Sequence, residues 1–274
     1  MKKKSEERKV KNFVFQLSIF CFTFLLCAIV VAGDWKVIKG EHFLVYYGDN
    51  KKFAREVLSR AEKYYNKIAV DLGYSRYDNF WRWDDRVKIY IYQTREDFIR
   101  ATGRNPWIYG IAKYHEKEII SYEWSVGFLD SLLPHEITHL VFRDFVGFPV
   151  SGGKGIPLWL DEGVAQWEEE GRRASSAEMV NKLIKEKNYI PIAELMDTDV
   201  RTKSDYALSQ KFYAQAVTLV GYMIKEYGSS KFNLFCRQLR DGKNVNAALS
   251  FVYTNSIPNI KSLEKKWIKY YGGG

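Results

Sequence analysis

His135-Glu136-Ile137-Thr138-His139 is the stretch on which the reading of this chain turns. The chain has only four histidines, and two of them stand here, four residues apart. A chance match would turn up in roughly a few per thousand chains of this composition. On an α-helix, positions i and i+4 differ by about 40° of rotation, so both imidazoles point the same way one turn apart. At that separation two ring nitrogens reach one metal ion. Glu136 projects beside them, where a carboxylate can take a proton from a water on the metal.

Outward from the pair, the sequence reads as helix from about 126 to 142, with Leu129, Leu132, Leu133, Ile137, Leu140 and Val141 on its buried side. Pro134 disturbs helical hydrogen bonding just before His135, so 126–133 is expected to form a separate turn. After a glycine-rich stretch, 147–155, Pro157 opens a second helix, Leu158-Trp159-Leu160-Asp161-Glu162-Gly163-Val164-Ala165. Towards the N-terminus, Trp35 to Tyr47 reads as extended and 51–72 as a helix closed by Gly73. Arg86 to Tyr92 alternates as a half-buried strand. Thr94 caps a further helix, and 108–114 and 118–122 form a strand pair around His115-Glu116-Lys117. Helices follow at about 175–187, 206–227, 229–240, 244–252 and 260–271. Strands and helices first and helices alone afterwards predict an α+β fold, with a mixed sheet, an active-site helix, a mostly helical C-terminal part and a cleft between them.

The third metal ligand must be a carboxylate. In the longer H-E-x-x-H-x-x-G-x-x-H pattern it is a histidine, but the two diagnostic positions here are Phe142 and Phe145, and no histidine lies downstream. The candidates are Asp144, Asp161, Glu162 and the run Glu168-Glu169-Glu170. Asp144 follows His139 too closely, on the wrong side of the helix, and the acidic run reads as a solvated face. Glu162 is the choice, because Gly163 beside it lets two helices approach closely. His115 starts like the motif but lacks a second histidine, and His42 reads as a structural residue at a strand start.

Residues 1–12 are a basic tail, with Lys2, Lys3, Lys4, Arg8, Lys9 and Lys11 against Glu6 and Glu7. Phe13 to Ala32 is an uncharged apolar run of 20 residues, about the length that crosses a hydrocarbon core. Basic residues before it predict a cytoplasmic N-terminus and a domain, 33–271, outside the membrane. Its length favours an uncleaved signal-anchor. The alternative is a signal peptide cut near Ala32, which would leave a secreted protein. Leu26 is too large for the residue expected before a lipidated Cys27.

The net charge is +9, and removing 1–32 takes six basic and two acidic residues, leaving 36 against 31. A mixed surface of net +5 without a basic stripe excludes a nucleic-acid-binding role. Cys21 and Cys27 fall in the apolar run, so Cys236 stands alone in the body of the chain. An internal disulfide and a cysteine zinc site are both excluded there.

His135-Glu136-x-x-His139 together with Trp159-Leu160-Asp161-Glu162-Gly163-x-Ala165 resembles the gluzincin metallopeptidases, specifically the peptidase MA-like domains. Weaker resemblance runs through Tyr213-Ala214-Gln215-Ala216 and Tyr227-Gly228 to Trp267. The resemblance implies a zincin-like fold and one zinc ion held by His135, His139 and Glu162. It also implies Glu136 as general base and a peptide or protein substrate. A recurring family tyrosine matches Tyr213, which would share the charge developing on the scissile carbonyl; otherwise Tyr213 belongs to a core stripe with Phe212, Ala216, Val217 and Val220. One position departs from the pattern. Thermolysin-like members carry a histidine-orienting aspartate one turn after the third ligand; this chain has Gln166 there, whose amide oxygen is expected to accept the same N–H without the charge. The function expected is a membrane-anchored zinc metallopeptidase whose substrate pairs with an edge strand at 108–114. The alternative is a zinc-stabilised, non-catalytic binding or processing module of a cell-surface assembly.

Overall fold

The computed structural model describes residues 35–73, 81–104, 108–123, 127–146, 156–169, 171–201 and 205–273. The tail and the apolar run at 13–32 lie outside the described residues, as does 147–155. Among the described residues no helix is long and apolar enough to cross a membrane.

Alternating side chains build the sheet. In β2 (Phe43–Tyr47) and β3 (Val87–Tyr92) every second residue is buried: Phe43, Val45 and Tyr47, then Val87, Ile89 and Ile91. With β1 (Lys36–Lys39), β4 (Gly110–Lys113) and β5 (Glu118–Tyr122) they form one sheet in the order β1-β2-β3-β5-β4. β2, β3 and β5 are parallel, and β1 and β4 pair antiparallel on the two edges. The β4–β5 turn closes with Lys117 in the left-handed region (φ 50°), and His115 lies in that turn, away from the metal ligands.

α1 (Lys51–Asp71) returns β2 to β3 and buries Ala54, Val57, Ala61, Tyr64, Tyr65 and Ile68. Asn50 caps it, accepting a hydrogen bond from the Phe53 N–H. His42 is structural: it is buried, its Nδ1 is 2.6 Å from Glu62 Oε2, and its ring stacks on Tyr65 at 4.0 Å. α2 (Arg95–Thr102) starts at Thr94 and ends at Gly103 in the left-handed conformation.

A π-helical turn, Phe128–Leu132, leads into α3 (Leu133–Val146), which carries the histidine pair. Pro134 has no N–H to give a regular helix, and the wider turn takes up the mismatch. Leu133, Ile137, Leu140 and Phe142 sink into the core shared with the inner face of the sheet. Asp144 points elsewhere, accepting hydrogen bonds from Trp81 Nε1 (2.6 Å) and the Tyr114 hydroxyl (2.9 Å).

The remainder is helical: α4 (Leu158–Trp167), α5 (Arg172–Lys185), the short α6 (Ile192–Leu195), α7 (Tyr206–Tyr227), α8 (Ser229–Arg240), α9 (Val245–Val252) and α10 (Ile260–Gly272). The fold is α+β as expected. α4 lies tightly against α7 at Gly163, where an added Cβ would stand 2.6 Å from the Ala216 carbonyl oxygen. At the far end of α4, Trp167 fills the space over Gly221. These contacts set the depth at which Glu162 reaches α3.

Candidate metal centre

α3 and α4 meet so that one atom each of His135, His139 and Glu162 lies within 4.8 Å of the others. The two Nε2 atoms are 3.1 Å apart, and His135 Nε2 is 3.8 Å from Glu162 Oε2. Tetrahedral zinc with N and O ligands at about 2.0–2.1 Å places neighbouring donor atoms roughly 3.3–3.4 Å apart. The observed separations bracket that value.

The second nitrogen of each ring explains the polarity of the site. His135 Nδ1 lies 2.8 Å from Glu169 Oε1, and His139 Nδ1 lies 3.0 Å from Asp161 Oδ1. A carboxylate accepts only, so each Nδ1 carries the proton and donates it. Each Nε2 is then the atom left to take a metal ion or a second proton, and the two lie beside the Glu162 carboxylate. Three donor atoms converging in this way could hold a metal ion, and a His₂Glu set is of the kind that suits zinc.

Each carboxylate is itself braced. The Arg143 guanidinium, one turn beyond His139, donates to Asp161 (Nη2–Oδ2 2.5 Å, Nε–Oδ1 3.4 Å). Ser131, from the π-helical turn, donates to Glu169 Oε2 at 2.8 Å. Burial pushes the Asp161 carboxyl up, but His139 and Arg143 outweigh it and hold Asp161 well below the usual carboxylate range. Burial likewise opposes ionisation of Glu169, and the hydrogen bond and charge of His135 override it, so its pKa is lowered. In the metal-free chain burial pulls the His139 pKa down, while Asp161, then Glu162 and Glu136, raise it to about 9. The pocket is therefore strongly attractive to positive charge.

Two expectations are corrected here. Gln166 does not orient a ligating histidine. Its Oε1 accepts from Arg172 Nε at 3.0 Å, and Glu169 takes the histidine-orienting task. The acidic run is not a solvated face. Glu168 is buried, with Lys67 Nζ 2.5 Å from its Oε2, and Glu169 is half-buried; Glu170 lies outside the described residues. α4 ends at Trp167, and the bend after it turns Glu169 back over His135. The signal available in sequence was spacing: Glu169 stands seven residues, two helical turns, after Glu162. Ser131 and Arg143 had no signal beyond their nearness to the motif.

Glu136 is nearly buried on α3, and its charge is felt by His139 and Arg143. Tyr213 lies half-buried on α7, packed against the core and edge-on to Phe212 at 5.5 Å between ring centroids. Its phenol pKa is raised by burial first and then by the charge of Glu162. The residue thus belongs to the core stripe and feels the charge of Glu162.

A comparison with curated proteins found no match. The family model described as peptidase MA superfamily matches residues 78–272, which include α3, α4, α7 and all three candidate ligands. By that match over most of its length, the chain belongs to the peptidase MA superfamily.

Proposed function

We propose that the protein is a zinc-dependent metallopeptidase, held at the cell membrane by residues 13–32 with its N-terminus in the cytoplasm and its catalytic domain outside. The convergence of His135, His139 and Glu162 within 4.8 Å, with Glu136 adjoining the first of them, carries the reading. Membership of the superfamily supports a peptide or protein as substrate. His135, His139 and Glu162 would hold the zinc, which would supply Lewis acidity towards the scissile carbonyl and the attacking water. Glu136 takes the proton from that water and returns it to the leaving nitrogen. Tyr213, kept protonated by its raised pKa, donates a hydrogen bond to the carbonyl oxygen as negative charge develops there. Among the described residues β4 is an edge strand of the sheet, and its outer side suits backbone pairing with an extended substrate.

Glu136→Gln tests this reading. The variant should keep its zinc, measured by metal analysis, and lose about 10²–10⁴-fold in hydrolysis of a peptide library. A folded, zinc-loaded wild type that cleaves nothing in the library would instead favour the zinc-stabilised binding module.

A further inference from the structure

The two faces of the sheet are built differently. The inner face shares its core with α1 and α3, whereas Phe98, Ile120 and Tyr122 form a separate small cluster on the outer face. Strand register sorts the outer face into rows across the strands. Val37, Tyr46, Tyr90, Ile120 and Ile111 are cross-strand neighbours in one row. One step along lies the row Lys39, Leu44, Lys88, Glu118 and Lys113, in which Lys88 and Lys113 pair with Glu118 at 3.9 and 3.4 Å. One step the other way, Tyr92 neighbours Tyr122, and the ring of Trp35 packs edge-on to Tyr92 at 5.1 Å and Tyr90 at 5.6 Å. Tyr46 stacks on Tyr90 at 4.7 Å. The face thus changes from charged to aromatic along the strand direction, and the aromatic end is the one where the chain enters β1.

α2 reaches the β3–β5 side of that end, packing Phe98 near Tyr122 and Tyr92. Towards β1 no described element covers the aromatic surface: Val37 is 40% exposed, and Trp35, Tyr46, Tyr90 and Tyr92 are only partly buried. Only Gly33 and Asp34 separate Trp35 from the apolar run ending at Ala32. Three Cα-to-Cα steps reach at most about 11 Å. The polar layer on each side of the hydrocarbon core is roughly 5–8 Å thick. Trp and Tyr favour that layer, where a ring meets apolar chains and its polar atom stays hydrated.

We infer that the open aromatic end of the outer sheet face, Trp35, Val37, Tyr46, Tyr90 and Tyr92, docks on the outer leaflet of the bilayer. The inference rests on residues 13–32 spanning the membrane. The metal centre is built from α3 and α4, and α3 packs on the opposite face of the sheet. Docking would therefore hold the site at a set height, turned away from the lipid.

The test uses the full chain with Cys21→Ala and Cys27→Ala; Cys236 is buried and stays. Val37→Cys is labelled with an environment-sensitive fluorophore and reconstituted in phosphatidylcholine vesicles carrying spin-labelled headgroup-region lipid. Phe251→Cys, 58% exposed on α9, is the control. The expected result is co-flotation with the vesicles, plus a blue shift and loss of emission at position 37 and neither at 251. Co-flotation without quenching at 37 overturns the inference and leaves the anchor standing. Failure to co-float removes the anchor and the inference with it. A blue shift at 37 that the spin-labelled lipid does not quench means that protein covers the face, which also overturns it. Tyr46→Cys, on the same row, replaces Val37→Cys if the latter fails to give a cooperative thermal melt.

Discussion

The two histidines of the candidate metal centre are one helical turn apart, yet they are held in unlike ways. His139 is enclosed, and its partner Asp161 is buried and paired again by Arg143. His135 sits nearer the rim. Its partner Glu169 comes from the bend after α4 and is steadied by a neutral hydroxyl, Ser131. The inner brace joins α3 to α4 inside the protein, so it belongs to folding as much as to metal binding. The outer brace joins a π-helical turn to a bend, so its main effect is to aim one imidazole. A buried ion pair is costly to break from one side because the remaining charge stays behind. A hydrogen bond nearer the surface leaves its partner a route to water.

Removing Asp161 should have the largest effect. Asp161→Ala strands Arg143 and His139, and metal-free Asp161→Ala should lose about 3 kcal/mol in a denaturant titration. A loss no larger than that of an ordinary surface substitution would break the distinction between the braces. Glu169→Gln should change stability little and weaken zinc binding about 10–100-fold in a chelator competition, as expected for a partner that aligns a ligating histidine. If Glu169→Gln instead unfolds the chain while holding zinc normally, the two braces have been assigned the wrong way round.

Dependence on pH sharpens the same contrast. In the metal-free chain His139 has a pKa raised to about 9 from an ordinary 6.5. Its protonation therefore stabilises the fold fully below about pH 6.5, and that contribution is lost as pH rises through 9. Asp161 has the opposite sign: its depressed pKa contributes stability above the usual carboxylate range and loses it as pH falls further. Thermal melts of the chelated wild type should accordingly fall between pH 6.5 and 9, and those of chelated Asp161→Ala should be flatter. Ser131→Ala should have the smallest effect, about 0.5–1.5 kcal/mol or up to tenfold in zinc affinity, read by the same melts and competition.

Much of the fold was legible because its signals are local. The β-forming run that ends at Tyr47 and the alternation in 86–92 marked strands, and Thr94 caps the helix that follows β3. Pro134 announced a break before the histidine pair, and the π-helical turn stands there. The convergence of His135, His139 and Glu162 was legible because i and i+4 share a helix face and because the glycine after Glu162 signalled close helix packing. Glu169 was misjudged as surface because its role depends on how the chain bends after Trp167, which no periodic pattern encodes. Gln166 was weighed for that role because it lies one turn after Glu162 on a regular helix, but Arg172 holds it.

Sequence alone determined the chemistry of the centre: two imidazoles and a carboxylate on helices, a second glutamate beside them, and an apolar run next to the first strand. Such features depend on covalent spacing and backbone periodicity, which a linear chain carries by itself. Tertiary structure decided which acids brace which histidine, how deep Glu162 sits, and where along the outer sheet face aromatic rings give way to charge. Those outcomes depend on contacts between residues far apart in the chain, such as Ser131 with Glu169, Gly163 with Ala216 and Trp35 with Tyr92. Only the packed fold brings these pairs together.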